Sequence, residues 1–189
     1  MQSPSSIKAA RAQGSMFLFT FGAAWLFAWA IQTFGLRTSI LAPIGLLTAI
    51  LLWICIKQYR AHKSAYLAQA SSPERLRSGR LFNIINIGQW IVIIVAINVL
   101  QKMGHGQWIT PAIISIVGLH FFPLAVVFNY KPHYLTGLGL VLVAAAYPLY
   151  PVGGPAYPLG CLGAGVILWL SAFRSISFKA PLQSAISQP

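Results

Sequence analysis

Six residues in two stretches of the chain have the types and spacing to hold a small polar molecule. Asn83, Asn86, Gln89, Trp90 and Asn98 fall within sixteen positions, and His120 follows in the next apolar stretch. At 100° per residue, Asn83, Asn86, Trp90 and Asn98 share an arc of about 120° on a helix, with Gln89 beside it. An amide offers both donors and acceptors, and an imidazole offers one of each. His120 lies nine positions before Asn129, about 13 Å along a helix, and Gln89 lies eight positions after Leu81, about 12 Å. The two depths match, so His120 is expected to hydrogen-bond Gln89 or Asn86. Two uses fit this set. The amides either line a small polar cavity, or they join helices as interhelical hydrogen bonds.

These groups need elements to position them, and the composition dictates which. Of 189 residues, 57% are hydrophobic, 7% are charged, and a single one is acidic. A soluble domain carries about 25% charged residues, so this chain lacks the polar side chains to cover a globule in water. Six apolar runs stand out, at 16–36, 39–56, 81–100, 108–129, 134–150 and 156–173. Each is close to the ~20 residues with which a helix crosses ~30 Å of hydrocarbon. None contains Asp, Glu, Lys or Arg. The expected fold is an all-α polytopic membrane protein, a single domain of six transmembrane helices. The runs do not alternate as the strands of a membrane barrel would.

Charge sets the expected threading. With both termini inside, eleven of the 13 Lys and Arg fall on the inner side and two on the outer, as cytoplasmic basic loops require. This gives a cytoplasmic N-tail over 1–15, a basic cytoplasmic loop over 57–80, and a cytoplasmic C-tail over 174–189. Ser71 and Glu74 have the spacing of a capping box, with Pro73 in the first turn, so the third helix is expected to begin near residue 73. Residues 57–70 are good helix formers able to prolong the second. Arg60, Lys63, Arg75, Arg77 and Arg80 of this loop are candidate contacts for lipid or a partner. The expected partners are the bilayer and its anionic headgroups, with a homo-oligomer or a membrane protein as further candidates. The bases sit between apolar runs and form no patch for nucleic acid.

Other chemistries are short of residues. The lone carboxylate, Glu74, falls in the loop, so there are no paired acids and no Ser-His-Asp arrangement, and no enzymatic role is expected. The four His and two Cys do not converge in depth, so neither a metal nor any other cofactor is expected. Pro123 is expected to kink the fourth helix after His120 and to free backbone carbonyls. Gly137, Gly139, Gly160, Gly163, Ala164 and Gly165 suggest that the last two helices form a tight hairpin, turning at 151–155.

Two stretches carry a resemblance. One is Phe82-Asn83-x-x-Asn86-x-x-Gln89-Trp90. The other is Trp108-Ile109-x-Pro111-Ala112-Ile113 running into Gly118-Leu119-His120-Phe121-Phe122-Pro123-Leu124-Ala125, followed by Pro132-His133-Tyr134. Over roughly residues 80–173 the chain resembles a family of small, uncharacterised six-span proteins of the bacterial inner membrane. That resemblance implies a six-helix chain in that membrane, and it implies no substrate. The expected function is binding or passage of a small uncharged solute at a cavity between the third and fourth helices. The alternative is a non-catalytic accessory subunit that docks a partner through the 57–80 segment.

Overall fold

The computed structural model describes residues 3–68, 71–150 and 153–177. Its helices are α1 (Pro4–Phe34), α2 (Thr38–Leu67), α3 (Pro73–Lys102), α4 (Ile109–Val127), α5 (Pro132–Ala146) and α6 (Leu159–Ile176), with short 3-10 turns at Gly106–Trp108, Tyr147–Leu149 and Gly154–Ala156. With the turns that extend α4 and α5, all six are long and apolar enough to cross a membrane. This is an all-α bundle of a multi-pass membrane protein.

Local chemistry fixes the helix ends. Ser3 caps α1 by accepting from the Ser6 backbone N–H at 3.2 Å, with Pro4 opening the first turn. Gly35, at φ 71°, closes α1 with its N–H on the Ile31 carbonyl. The start of α3 departs from the expected capping box. Its N-cap is Ser72, which makes no side-chain cap bond, so Glu74 sits one position too early to complete the box. Glu74 still lies in the first turn and Lys102 in the last, each favourable to the helix dipole.

Helix extends beyond the apolar runs into both the N-tail and the basic segment. The 4–15 stretch of the N-tail is helical, and Ser6, Ala9, Ala12 and Ser15 are buried. Small residues at three-residue spacing let this end of α1 pack closely. The described residues of the 57–80 segment are largely helical, as the helix formers over 57–70 and the start expected near residue 73 imply. Residues up to Leu67 continue α2, and α3 begins at Pro73. Arg75 lies over the Tyr66 ring at 3.3 Å and donates to the Tyr66 carbonyl, while the Tyr66 hydroxyl donates to Gln13 of α1. These contacts tie the hairpin to α1. Residues beyond 177, including Lys179 of the C-tail, and Pro151 of the last turn lie outside the described residues.

The helices pack in the spatial order α2, α1, α6, α5, α4, α3, and α4 also reaches α6. One core cluster joins Ile114 and Phe121 of α4, Leu140 and Ala144 of α5, Tyr147, and Ala164 and Leu168 of α6. Leu18 and Trp25 of α1 pack against it. A second cluster joins Phe19, Leu51, Cys55 and Ala172, and the Trp169 indole donates to the Phe19 carbonyl at 3.1 Å. The small residues serve three interfaces, not only the expected α5–α6 hairpin. Gly118 meets Gly137 between α4 and α5, Gly22 meets Gly165 between α1 and α6, and Gly160 and Gly163 face Tyr147 and Val143. The peripheral helices are α2, with two buried residues, and α3, with one, Ile93.

Candidate functional site

Packing of α3 on α4 splits the polar set of α3 in two. Its inward flank carries Ile93, and the half-buried Asn86 and Gln89 lie beside that line. Asn83, Trp90 and Asn98 are exposed. The arc expected to point into the bundle is therefore only partly inside, because its centre lies on the flank of the α3–α4 contact and not on it. Asn98 satisfies itself locally, its side-chain amide donating to the Ile94 carbonyl at 2.7 Å. Asn83 and Asn98 lie three and four residues from Arg80 and Lys102, so both stand near the ends of the apolar stretch. Trp90 stands at its middle with 48% of its surface exposed.

α4 presents two faces. Pro111, Ile114, Gly118, Phe121 and Ala125 are buried against the rest of the bundle. Ile116, Leu119 and His120 line a recess of about 220 Å³ whose other side is Ile85, Gln89 and Val92 of α3. His120 and Gln89 are thus brought to one place, as their depths required. The expected hydrogen bond is not made through Nδ1, which is buried without a hydrogen-bond partner. The ring instead stands edge-on to Phe121, with centroids 5.9 Å apart.

Pro123 adds a third polar group. α4 continues through it to Val127, but a proline has no N–H, so the Leu119 carbonyl loses its regular helical partner. Leu119 lines the recess. The surface of the recess is almost wholly apolar, with the amide of Gln89 and the imidazole of His120 belonging to residues that line it. No acid lies near it, since Glu74 is fifteen residues before Gln89, about 22 Å along α3. This set can hold an uncharged molecule with an apolar body and one or two hydrogen-bonding groups. Only α3 and α4 line it, and Leu119 is 58% exposed, so it opens sideways, towards lipid.

His133 is the residue that the sequence left without a role. It stands in the first turn of α5, half-buried, with Phe121, Tyr130 and Phe128 at centroid distances of 5.4, 4.9 and 6.4 Å. Arg11 of α1 lies over Tyr130 at 5.1 Å. Phe121 thus touches both His120 and His133. The signal was present in the pairing of an aromatic run in one segment with Pro-His-Tyr in the next, but only a known helix contact joins them. Among the described residues, no three His, Cys, Asp or Glu come together as a metal site. Cys55 and Cys161 are both buried and free.

The basic residues of the hairpin are also sorted. Arg75 is engaged with Tyr66, whereas Arg60, Lys63, Arg77 and Arg80 are exposed. Arg77 and Arg80 line a surface recess of about 440 Å³ with Pro73, Leu76 and Leu81. Comparison with family models, with characterised proteins and with solved structures returns no match for this chain.

Proposed function

We propose that this protein is a non-catalytic multi-pass protein of the bacterial inner membrane, with both termini cytoplasmic. In this reading it binds a small uncharged solute, with an apolar body and at least one hydrogen-bonding group, in the recess between α3 and α4. The observation that carries the reading is His120. Its Nδ1 is buried without a hydrogen-bond partner, and the residue lines the recess together with Gln89; leaving such a group unsatisfied costs about 1–3 kcal/mol. Intramembrane ionisable residues are functional candidates by default. Binding is favoured over passage because the recess draws on two neighbouring helices and opens to the side. The cytoplasmic placement of the termini rests on the distribution of Lys and Arg, and the bacterial membrane rests on the resemblance of the α3 and α4 motifs.

The test is photolabelling of the purified protein in nanodiscs with a short-chain alcohol that carries a diazirine. Label is expected on Val92, Ile116 or Leu119, and it is expected to fall in His120→Leu and Gln89→Leu variants. Labelling spread evenly over all lipid-facing helices, unchanged in those variants, would refute the reading.

A second reading is favoured by the hairpin. Its tie to α1 through Tyr66 and Gln13 holds Arg60 and Lys63 on a fixed arm, as docking of a membrane partner would require. Capture of one stoichiometric partner that is lost on Arg60→Glu/Lys63→Glu would support it.

A further inference from the structure

The unpartnered face of α3 is built as a continuous strip. Arg77, Arg80, Ile84, Ile87, Ile91 and Val95 fall within an arc of about 80° at 100° per residue. All six are exposed. The strip has two chemistries in order. At its start, two arginines stand three residues apart, which places them as neighbours on one helix face. Neither takes part in the Tyr66 contact that engages Arg75. They share a recess with Leu76 and Leu81. Above them, no charged residue follows until Lys102. From Arg80 to Val95 the helix rises about 22 Å, more than the ~15 Å depth of one leaflet's hydrocarbon.

We infer that this strip is a binding site for one anionic phospholipid, with its phosphate between Arg77 and Arg80 and an acyl chain along Ile84, Ile87 and Ile91. Guanidinium groups suit a phosphodiester because they present paired donors in a fixed plane. The chain's single carboxylate leaves a charge of +12 to be met from outside. Of the five candidate contacts in the 57–80 segment, two stand on this strip. Arg75 is held over Tyr66, and Arg60 and Lys63 stand on α2. The site is separate from the His120 recess, which lies on the other flank of α3.

Native mass spectrometry of the full chain, released from nanodiscs containing equal phosphatidylglycerol and phosphatidylcholine, tests this. One retained phosphatidylglycerol per chain is expected, preferred over phosphatidylcholine by roughly tenfold. Arg77→Gln/Arg80→Gln should abolish the preference, and Arg77→Lys/Arg80→Lys should weaken it while keeping the charge. Arg60→Gln/Lys63→Gln removes the same charge from α2 and should leave it intact. Equal loss in both glutamine variants would overturn the site in favour of diffuse attraction. Retention of neither lipid, or a lipid-free dimer joined through α3, would overturn it as well.

Discussion

The Ser15 hydroxyl donates to the Ala172 carbonyl at 3.1 Å, joining the first helix to the last across 157 positions of sequence. Both residues are fully buried. The bond fixes the register of α1 on α6 at the level where Phe19 meets Phe173 edge-on at 5.0 Å. Ser15→Ala should cost about 1 kcal/mol, the usual worth of such a bond. Ser15→Leu adds bulk where there is no room and should cost about 1–3 kcal/mol. Thermal unfolding in detergent, followed by circular dichroism, orders the two variants, and a neutral leucine would contradict the contact.

A close backbone approach between α4 and α5 tests the packing order. A Cβ built on Gly118 would lie 2.9 Å from the Gly137 carbonyl oxygen, and one built on Gly137 would lie 2.6 Å from the Gly118 carbonyl oxygen. Backbone cannot yield as a side-chain tip does. Gly137→Ala should therefore destabilise the protein by about 1–3 kcal/mol. Gly139→Ala is the control, because its Cβ would meet Ile167 at an ordinary 3.4 Å. Equal melting temperatures for the two variants would mean that α4 and α5 are further apart than described.

His120 separates a binding role from a structural one. If its imidazole serves the fold, His120→Leu unfolds the protein. With Nδ1 unpaired, the expected result is the reverse. Leucine removes a buried polar group from an apolar wall, so thermal stability should hold or rise, by up to about 1–3 kcal/mol, while labelling by the alcohol probe falls.

Topology is testable with cysteines, since the two native thiols are both buried and should stay unlabelled until the protein is denatured. A cysteine at Lys63 should react with a membrane-impermeant maleimide only after the inner face is opened. One at His105, between α3 and α4, should react in intact cells. The opposite pattern would invert the assignment of the termini.

The number of helices, their approximate positions and their membrane character followed from the sequence, because one apolar run near twenty residues long can satisfy its backbone in hydrocarbon only as a helix. The matched depths of His120 and Gln89 were legible too, because rise per residue is constant. Helix ends were less so. The capping signal at Ser71 is one residue early, and the helical course of residues 4–15 is not visible in composition, which marks where hydrocarbon ends and not where hydrogen bonding ends; the helix-forming residues after 57 and Pro73 do mark how α2 and α3 extend into the basic segment. Only the tertiary structure decided which face of each helix turns inward. It placed Asn83, Trp90 and Asn98 outside, set Phe121 between His120 and His133, paired Gly118 with Gly137, and drew Arg75 away from Arg77 and Arg80. Sequence fixes the angle between residues on one helix, but the rotation of that helix against its neighbours comes from the fit of side chains on two helices at once. In a chain so uniformly apolar, no hydrophobic stripe announces that rotation.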